Sequence, residues 1–371
     1  MLKIQKAFET MSAKTRVQRF FQHEKTDRVP IDYLTNPTIH RRLLEAFDFA
    51  PDANDSTDRL LEILGVDFRK IQAPYHGPLL FQERPGLKVD PEYGYYSRWV
   101  DNPYGGYEDY CVFPLKDVDS EIIAGFPVPN PDDYDYTVVP DQVKKYQGYA
   151  LYVGDPGYGD IINSLGRVMG MEDALVNLYL GDEATLAYVE RKIKFELGKL
   201  ERLIIEIKKA GNSPDFLWMG EDLGTQIAPM ISHDLFLRVF RPAMQQFVSL
   251  ANAYSLPVMI HTCGSSEWAY EDFIAMGVKA VDTLQPEAAH MAPEELKSKF
   301  GGRLAFHGCI STAAIAKLDE AGVETLCRNT LEILMPTHAY AFSPTHQIQD
   351  NTPIQNVIRM YQTAHTYGVY K

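Results

Sequence analysis

Cysteine is scarce: Cys111, Cys263, Cys309 and Cys327 lie far apart in a chain of 371 residues. With no export signal beside them, they do not read as the framework of a disulfide-stapled secreted domain, and are expected to be buried fillers or metal ligands. Long apolar runs are missing as well. The N-terminal stretch MLKIQKAFETMSAKTRVQRFF alternates apolar with charged positions and lacks the apolar centre of a signal peptide. No later run is long enough to span a bilayer. The expectation is a cytoplasmic chain with no membrane partner. Positive charge is in deficit, 36 Lys and Arg against 50 Asp and Glu, for a formal net charge of −14. Such a field repels phosphate backbones and argues against nucleic acid. Hydrophobic residues at 45% and charged residues at 23% exclude disordered, collagen-like and coiled-coil classes.

What is present is a rhythm. From about residue 183 onward, long helical stretches alternate with short apolar runs that end in Gly, Asp or a polar cluster. DEATLAYVERKIKFELGKLERLIIEIKKAG has apolar residues at helical spacing and Gly211 at a C-cap position. Behind it follow PDFLWMG, a helix beginning near Ser232, PVMIH, a helix around 268–276, VKAVDTL, APEELKSKF and RLAFHG. A helix beyond Ser311, HAYAFS and a last helix from about Thr352 close the series. Upstream, VPIDY (29–33), VDFRKIQ (66–72) and YALYVGD (149–155) bring the strands to eight. Eight parallel strands in βα order predict a (β/α)₈ TIM barrel forming a single domain over 1–371. Residues 76–140, rich in Tyr, Gly, Pro and Asp, predict an inserted hairpin or lid region near one mouth.

Barrel chemistry gathers just past the C-terminal ends of the strands. Those places hold Asp155, Glu221 and Asp222, His261 and Cys263, Gln285, His307 and Cys309, and His346. Two residues leaving a strand at i and i+2 point to the same side, so His261 and Cys263 can reach one ion. Imidazole and thiolate are ligands that zinc prefers. Taken alone, an H-x-C pair is more often core filler; its place among other candidates at one rim is what singles it out. His346, after the last strand, is the expected third metal ligand, with Cys309 competing. Glu221 is the expected acid/base group or fourth ligand, and Asp222 the residue that orients His261. Asp155, Gln285 and His307 are expected substrate contacts. Each also has a bland reading, as a loop cap or a hydrogen-bonded loop residue.

At these residues the chain resembles the uroporphyrinogen decarboxylase superfamily, which includes zinc-dependent, corrinoid-linked methyltransferases. The resemblance begins in KTRVQRFFQHEKTDRVPIDY and PLKDVDSEIIAGFPVPNPDDYDY. It is densest in GEDLGTQIAPMISHDLFLRVFRPAMQQFV, MIHTCGSSEWAYEDFIAMGVKAVDTLQP, AFHGCIST and FSPTHQIQDNTPIQNVIRMYQTA. It implies the barrel with its site at the C-terminal rim. The decarboxylase branch implies an arginine-bearing segment of the form W-x-M-R-Q-A-G-R after the opening strand; LTNPTIHRRLLEAFD stands there, and Arg41 and Arg42 read as a solvated helix face. The methyltransferase branch implies zinc on an H-x-C pair and a later Cys in a segment like S-P-G-C-G-I. His261 and Cys263 match the pair, and His346 in SPTHQI replaces the later thiolate. In the related cobalamin-independent methionine synthases a Glu follows the next strand; Gln285 stands there.

The resemblance therefore implies a zinc-dependent methyltransferase moving a methyl group between a small methylated substrate or thiol and cobalamin carried by a corrinoid protein, with a homodimer admissible. The alternative is a metal-independent decarboxylase of a carboxylated substrate, with Asp155, Glu221 and Asp222 as acid/base groups. A ligand-binding barrel without catalysis is the third reading.

Overall fold

A computed structural model describes residues 3–371. Its strands are β1 (Phe68–Lys70), β2 (Lys88–Val89), β3 (Tyr96–Asn102), β4 (Gly105–Val112), β5 (Ala150–Gly154), β6 (Phe216–Gly220), β7 (Val258–Thr262), β8 (Ala280–Thr283), β9 (Ala305–Ile310) and β10 (Tyr340–Pro344). Seven of the eight segments expected as strands form one parallel sheet, in the order β1-β5-β6-β7-β8-β9-β10. Every residue of β6 to β10 is buried. Their residues are mostly apolar, as parallel strands covered on both faces require, with His261, Thr262, Asp282, Thr283, His307 and Ser343 as buried polar exceptions.

The sheet is curled, and two apolar layers hold it. On the inside, Phe68, Phe216 and Trp218 meet Met259 and a set of alanines, Ala150, Ala280, Ala305 and Ala341. Val17 and Phe20 of the helix Ala13–Phe21 plug this space from one end. Large side chains on some strands against small ones on others fill the narrow interior. On the outside, the helices between strands bury their apolar stripes against the sheet. The longest, Glu183–Lys209, is capped by the Asp182 side chain at Thr185 N and stops where Gly211 takes φ of +82°.

The eighth expected strand, 29–33, makes only one bridge, Ile31 to Phe342 of β10. Its sequence explains why. Pro30 has no N–H to give, and the Ile31 N–H is taken by the Asp67 carboxylate at 2.8 Å. The segment still touches both edge strands. Asp32 N donates to Phe342 O at 3.0 Å, Phe342 N to Pro30 O at 2.8 Å, and Asp67 N to Ile31 O at 2.9 Å. Asp67 in turn anchors two buried guanidiniums, Arg16 and Arg28. Between β1 and β5, β2 to β4 form a three-stranded antiparallel sheet. Among the described residues no helix is long and apolar enough to cross a membrane.

Candidate metal centre

Register decides which side chains meet. Gly220 of β6 pairs with His261 of β7, His261 with Asp282 of β8, and Asp282 with His307 of β9. In a parallel sheet, register partners project from the same face about 4.8 Å apart, so His261, Asp282 and His307 form a row. The row is fully connected. His261 Nδ1 lies 2.5 Å from Asp282 Oδ2 and His307 Nδ1 lies 2.6 Å from Asp282 Oδ1. His307 Nε2 continues to Asp32 Oδ2 at 3.1 Å, where the 29–33 segment enters.

The other face of the His261 ring points at the rim. Nε2 stands 3.4 Å from Cys263 Sγ and 3.9 Å from Asp222 Oδ1. One donor atom from each of Asp222, His261 and Cys263 lies within 4.8 Å of the others. Two loops create this convergence. Asp222 follows β6, Cys263 follows β7, and the Cys263 N–H donates to Asp222 Oδ1 at 2.9 Å. Asn163 Nδ2 donates to the other carboxylate oxygen at 2.9 Å, and Gln285 Oε1 accepts from Gly264 N at 2.8 Å. Glycines let the loops touch, since a Cβ on Gly264, at φ +70°, would strike the Gly224 carbonyl.

Electrostatics follow from the row. Burial opposes the charged form of His261, but Asp282 and the neighbouring thiol outweigh it and hold its pKa well above the ordinary value. Burial likewise opposes a charged His307, yet Asp282 and Asp32 raise its pKa to about 9. Asp282 is pulled below the carboxylate range by His307 and His261 against its burial. Asp222 is lowered against burial by His261 and its two donors. Burial pushes the Cys263 thiol up, with His261 drawing it back. Asp282, held as an anion, keeps the proton on Nδ1, so a cation that displaced the Nε2 proton would meet that nitrogen's lone pair on the side of the cluster.

A nitrogen, a sulfur and a carboxylate oxygen converging on one point are the donor set of a borderline-soft cation, and zinc fits them. His261, Cys263 and Asp222 would hold it. His346 is exposed, and its ring centroid is 6.4 Å from that of His261, so it stands across the mouth beside the trio.

The other expected residues fall in different surroundings. Glu221 is buried away from the trio, accepting from the backbone N–H of Ile161 and Ile162 at 2.7 and 3.1 Å. Burial and the adjoining Asp160 raise its pKa well above normal. It anchors the start of the helix Ile162–Met169, and through that helix positions Asn163. Asp222 Oδ1 lies beside the His261 and Cys263 donor atoms, and it is Asp282 that is hydrogen-bonded to the His261 ring. His307 has no exposed surface and supports Asp282 from beneath, with Phe68 and Trp218 edge-on to its ring at 5.6 and 5.2 Å. Cys309 is buried, at φ +69°, outside the trio. Asp155 pairs with Lys70 at 2.9 Å and faces a neighbouring cavity. Reading the sequence missed Asp282 and Asp32. Their signal was an aspartate inside an apolar strand run, VKAVDTL and VPIDY, where a charge needs buried partners.

Residues 221–367, which supply all of these donors, match the model of the uroporphyrinogen decarboxylase (URO-D) family. That stretch is similar to the uroporphyrinogen decarboxylase family. Both H-x-C residues, Asp222, Asp282, His307 and His346 lie inside the matched stretch. Over almost the whole chain the fold is similar to that of a methyltransferase from Methanosarcina mazei, with a TM-score of 0.63 at 14% identity, covering 95% of this chain and 98% of that one. Dispersin B also aligns, over 93% of this chain and 99% of its own, with a TM-score of 0.40 and 10% identity. No curated protein matches the chain.

Proposed function

We propose that the chain is a zinc-dependent methyltransferase that moves a methyl group between a small methylated substrate or thiol and cobalamin on a partner corrinoid protein. The observation that carries this reading is the Asp222, His261 and Cys263 donor trio with Asp282 behind it. The methyltransferase named among the similar folds supports it. In this reading the 29–33 segment serves as the eighth stave of a closed barrel, bringing Asp32 beneath the site.

Bound zinc would supply Lewis acidity, favouring the thiolate of a thiol or stabilising negative charge on a leaving atom. The protein's own groups prepare that chemistry. Asp282 fixes the His261 ring and its proton. His307, bridging Asp282 and Asp32, keeps Asp282 charged. Asn163 and the Cys263 N–H hold the Asp222 carboxylate in place, and Glu221 fixes the helix that carries Asn163. His346, its pKa lowered by partial desolvation and by His261, favours the neutral form and offers a further nitrogen at the mouth. The corrinoid partner would approach over this open rim.

The test is methyl transfer itself. Incubation of zinc-loaded protein with methylcobalamin and a panel of thiols should discharge the methyl–cobalt absorbance, with His261→Ala and Cys263→Ser at least about 100-fold slower. Carbon dioxide release from a carboxylated substrate by metal-free protein, with no methyl transfer, would establish the decarboxylase reading instead.

A further inference from the structure

A second place in the molecule is built for a ligand. A cavity of about 450 Å³ opens between the ends of β1 and β5, the helix Glu183–Lys209 and residues 90–95. None of Asp222, His261, Cys263 and His346 lines it. Its wall carries four cations and five carboxylates, and the lysines are already committed: Lys70 to Asp155 at 2.9 Å, Lys192 to Glu196 at 2.9 Å, and Lys199 to Glu92 at 2.8 Å.

Arg167 is left over. Its guanidinium lies over the Tyr95 and Tyr110 rings, 5.2 and 5.0 Å from their centroids, and makes no ion pair among the described residues. The two rings stand nearly perpendicular to each other, so at most one lies along a guanidinium face; the guanidinium has five N–H donors, and beside these rings it can still offer two of them to a planar carboxylate. The carboxylate side of the cavity also has an open position. Glu196 Oε1 accepts from Lys192 and from Tyr93 at 3.2 Å, but the buried Oε2 has no partner. Such an atom costs free energy unless a donor reaches it.

We propose that this cavity binds a small zwitterion, its carboxylate on the edge of Arg167 and its ammonium group on Glu196. One unpaired cation and a surplus of carboxylates are complementary to a ligand that carries both charges. A volume near the lower end of ligand pockets, roughly 300–1,000 Å³, suits a compact metabolite. Because no lining residue belongs to the metal trio, the site stands or falls apart from the proposed reaction.

The experiment is calorimetric titration of the full chain with ω-amino acids from glycine to 6-aminohexanoate, against alkyl carboxylates and amines of the same lengths. One length of amino acid should bind, and each single-charge analogue should bind roughly tenfold or more weakly. Arg167→Gln should weaken that amino acid roughly ten- to hundredfold, and Arg167→Lys should restore part of the loss. Glu196→Gln should weaken the amino acid and leave the alkyl carboxylate unchanged. Cys263→Ser should bind as wild type. Absence of binding by every amino acid at millimolar concentration, or an unchanged affinity in folded Arg167→Gln, would overturn the proposal.

Discussion

Asp282 is the residue on which the proposed metal centre turns, because both its oxygens are spent on histidines at 2.5 and 2.6 Å. Replacing it by Asn keeps the shape but puts an amide where an anion held the Nδ1 proton. Asp282→Asn is expected to weaken zinc binding by about 10- to 100-fold while the chain stays folded, as a competition titration with a chromophoric chelator would show. Equal affinity would mean that His261 does not need this partner. The sequence made His261 and Cys263 legible because an H-x-C pair leaving a strand puts both side chains on one side. It could not separate Glu221 from Asp222, since neighbouring residues at a strand end point opposite ways and only the register of β6 against β7 decides which turns to the rim. Asp282 stayed hidden for a related reason. One aspartate in VKAVDTL gains meaning only when β7 and β9 set a histidine on each side of it.

At the scale of elements, the two loops after β6 and β7 act as one unit. Ser265 N donates to Thr225 O at 2.7 Å, and Gly264 passes against the Gly224 carbonyl. Gly264→Ala adds a Cβ at φ +70°, where an L side chain is strained and the space is filled. It should cost about 1–3 kcal/mol of stability and shift Cys263, so a lowered unfolding midpoint should be accompanied by lost zinc. A variant that melts early but binds zinc as tightly would show that the loops are not coupled. The elements themselves were largely readable. Seven apolar runs became parallel strands, and the amphipathic pattern and Gly211 marked the long helix. The 29–33 run makes one bridge rather than a full strand, because Pro30 has no N–H and the Ile31 N–H donates to the Asp67 carboxylate. The antiparallel sheet β2 to β4 lies within residues 76–140, expected as an inserted hairpin or lid region, but the sequence did not place its individual strands. Its strands alternate buried and exposed positions too irregularly to announce themselves.

For the molecule as a whole, buried charge makes stability depend on pH in both directions. Asp27, held by Arg16, and Asp282 have lowered pKa values in the fold. A depressed carboxylate contributes stability that is present above its unfolded pKa, near ~3.9, and is lost as pH falls toward the folded value. His307 works the other way. Its folded pKa of about 9 exceeds the ordinary 6.5, so its contribution is complete below ~6.5 and disappears as pH rises through about 9. At about 1.4 kcal/mol per pKa unit this amounts to about 3 kcal/mol. Urea midpoints of the metal-free chain should therefore fall between pH 6.5 and 9, and His307→Asn should flatten that limb; an unchanged slope would refute the bridging role.

The measurement that bears most directly on the metal centre is the zinc content of the purified chain, by elemental analysis, beside Asp222→Ala, His261→Ala, Cys263→Ser and His346→Ala. Near-stoichiometric zinc in wild type, lost with each member of the trio and reduced with His346, is the expected result. A wild-type chain that takes up no zinc after anaerobic reconstitution would contradict it.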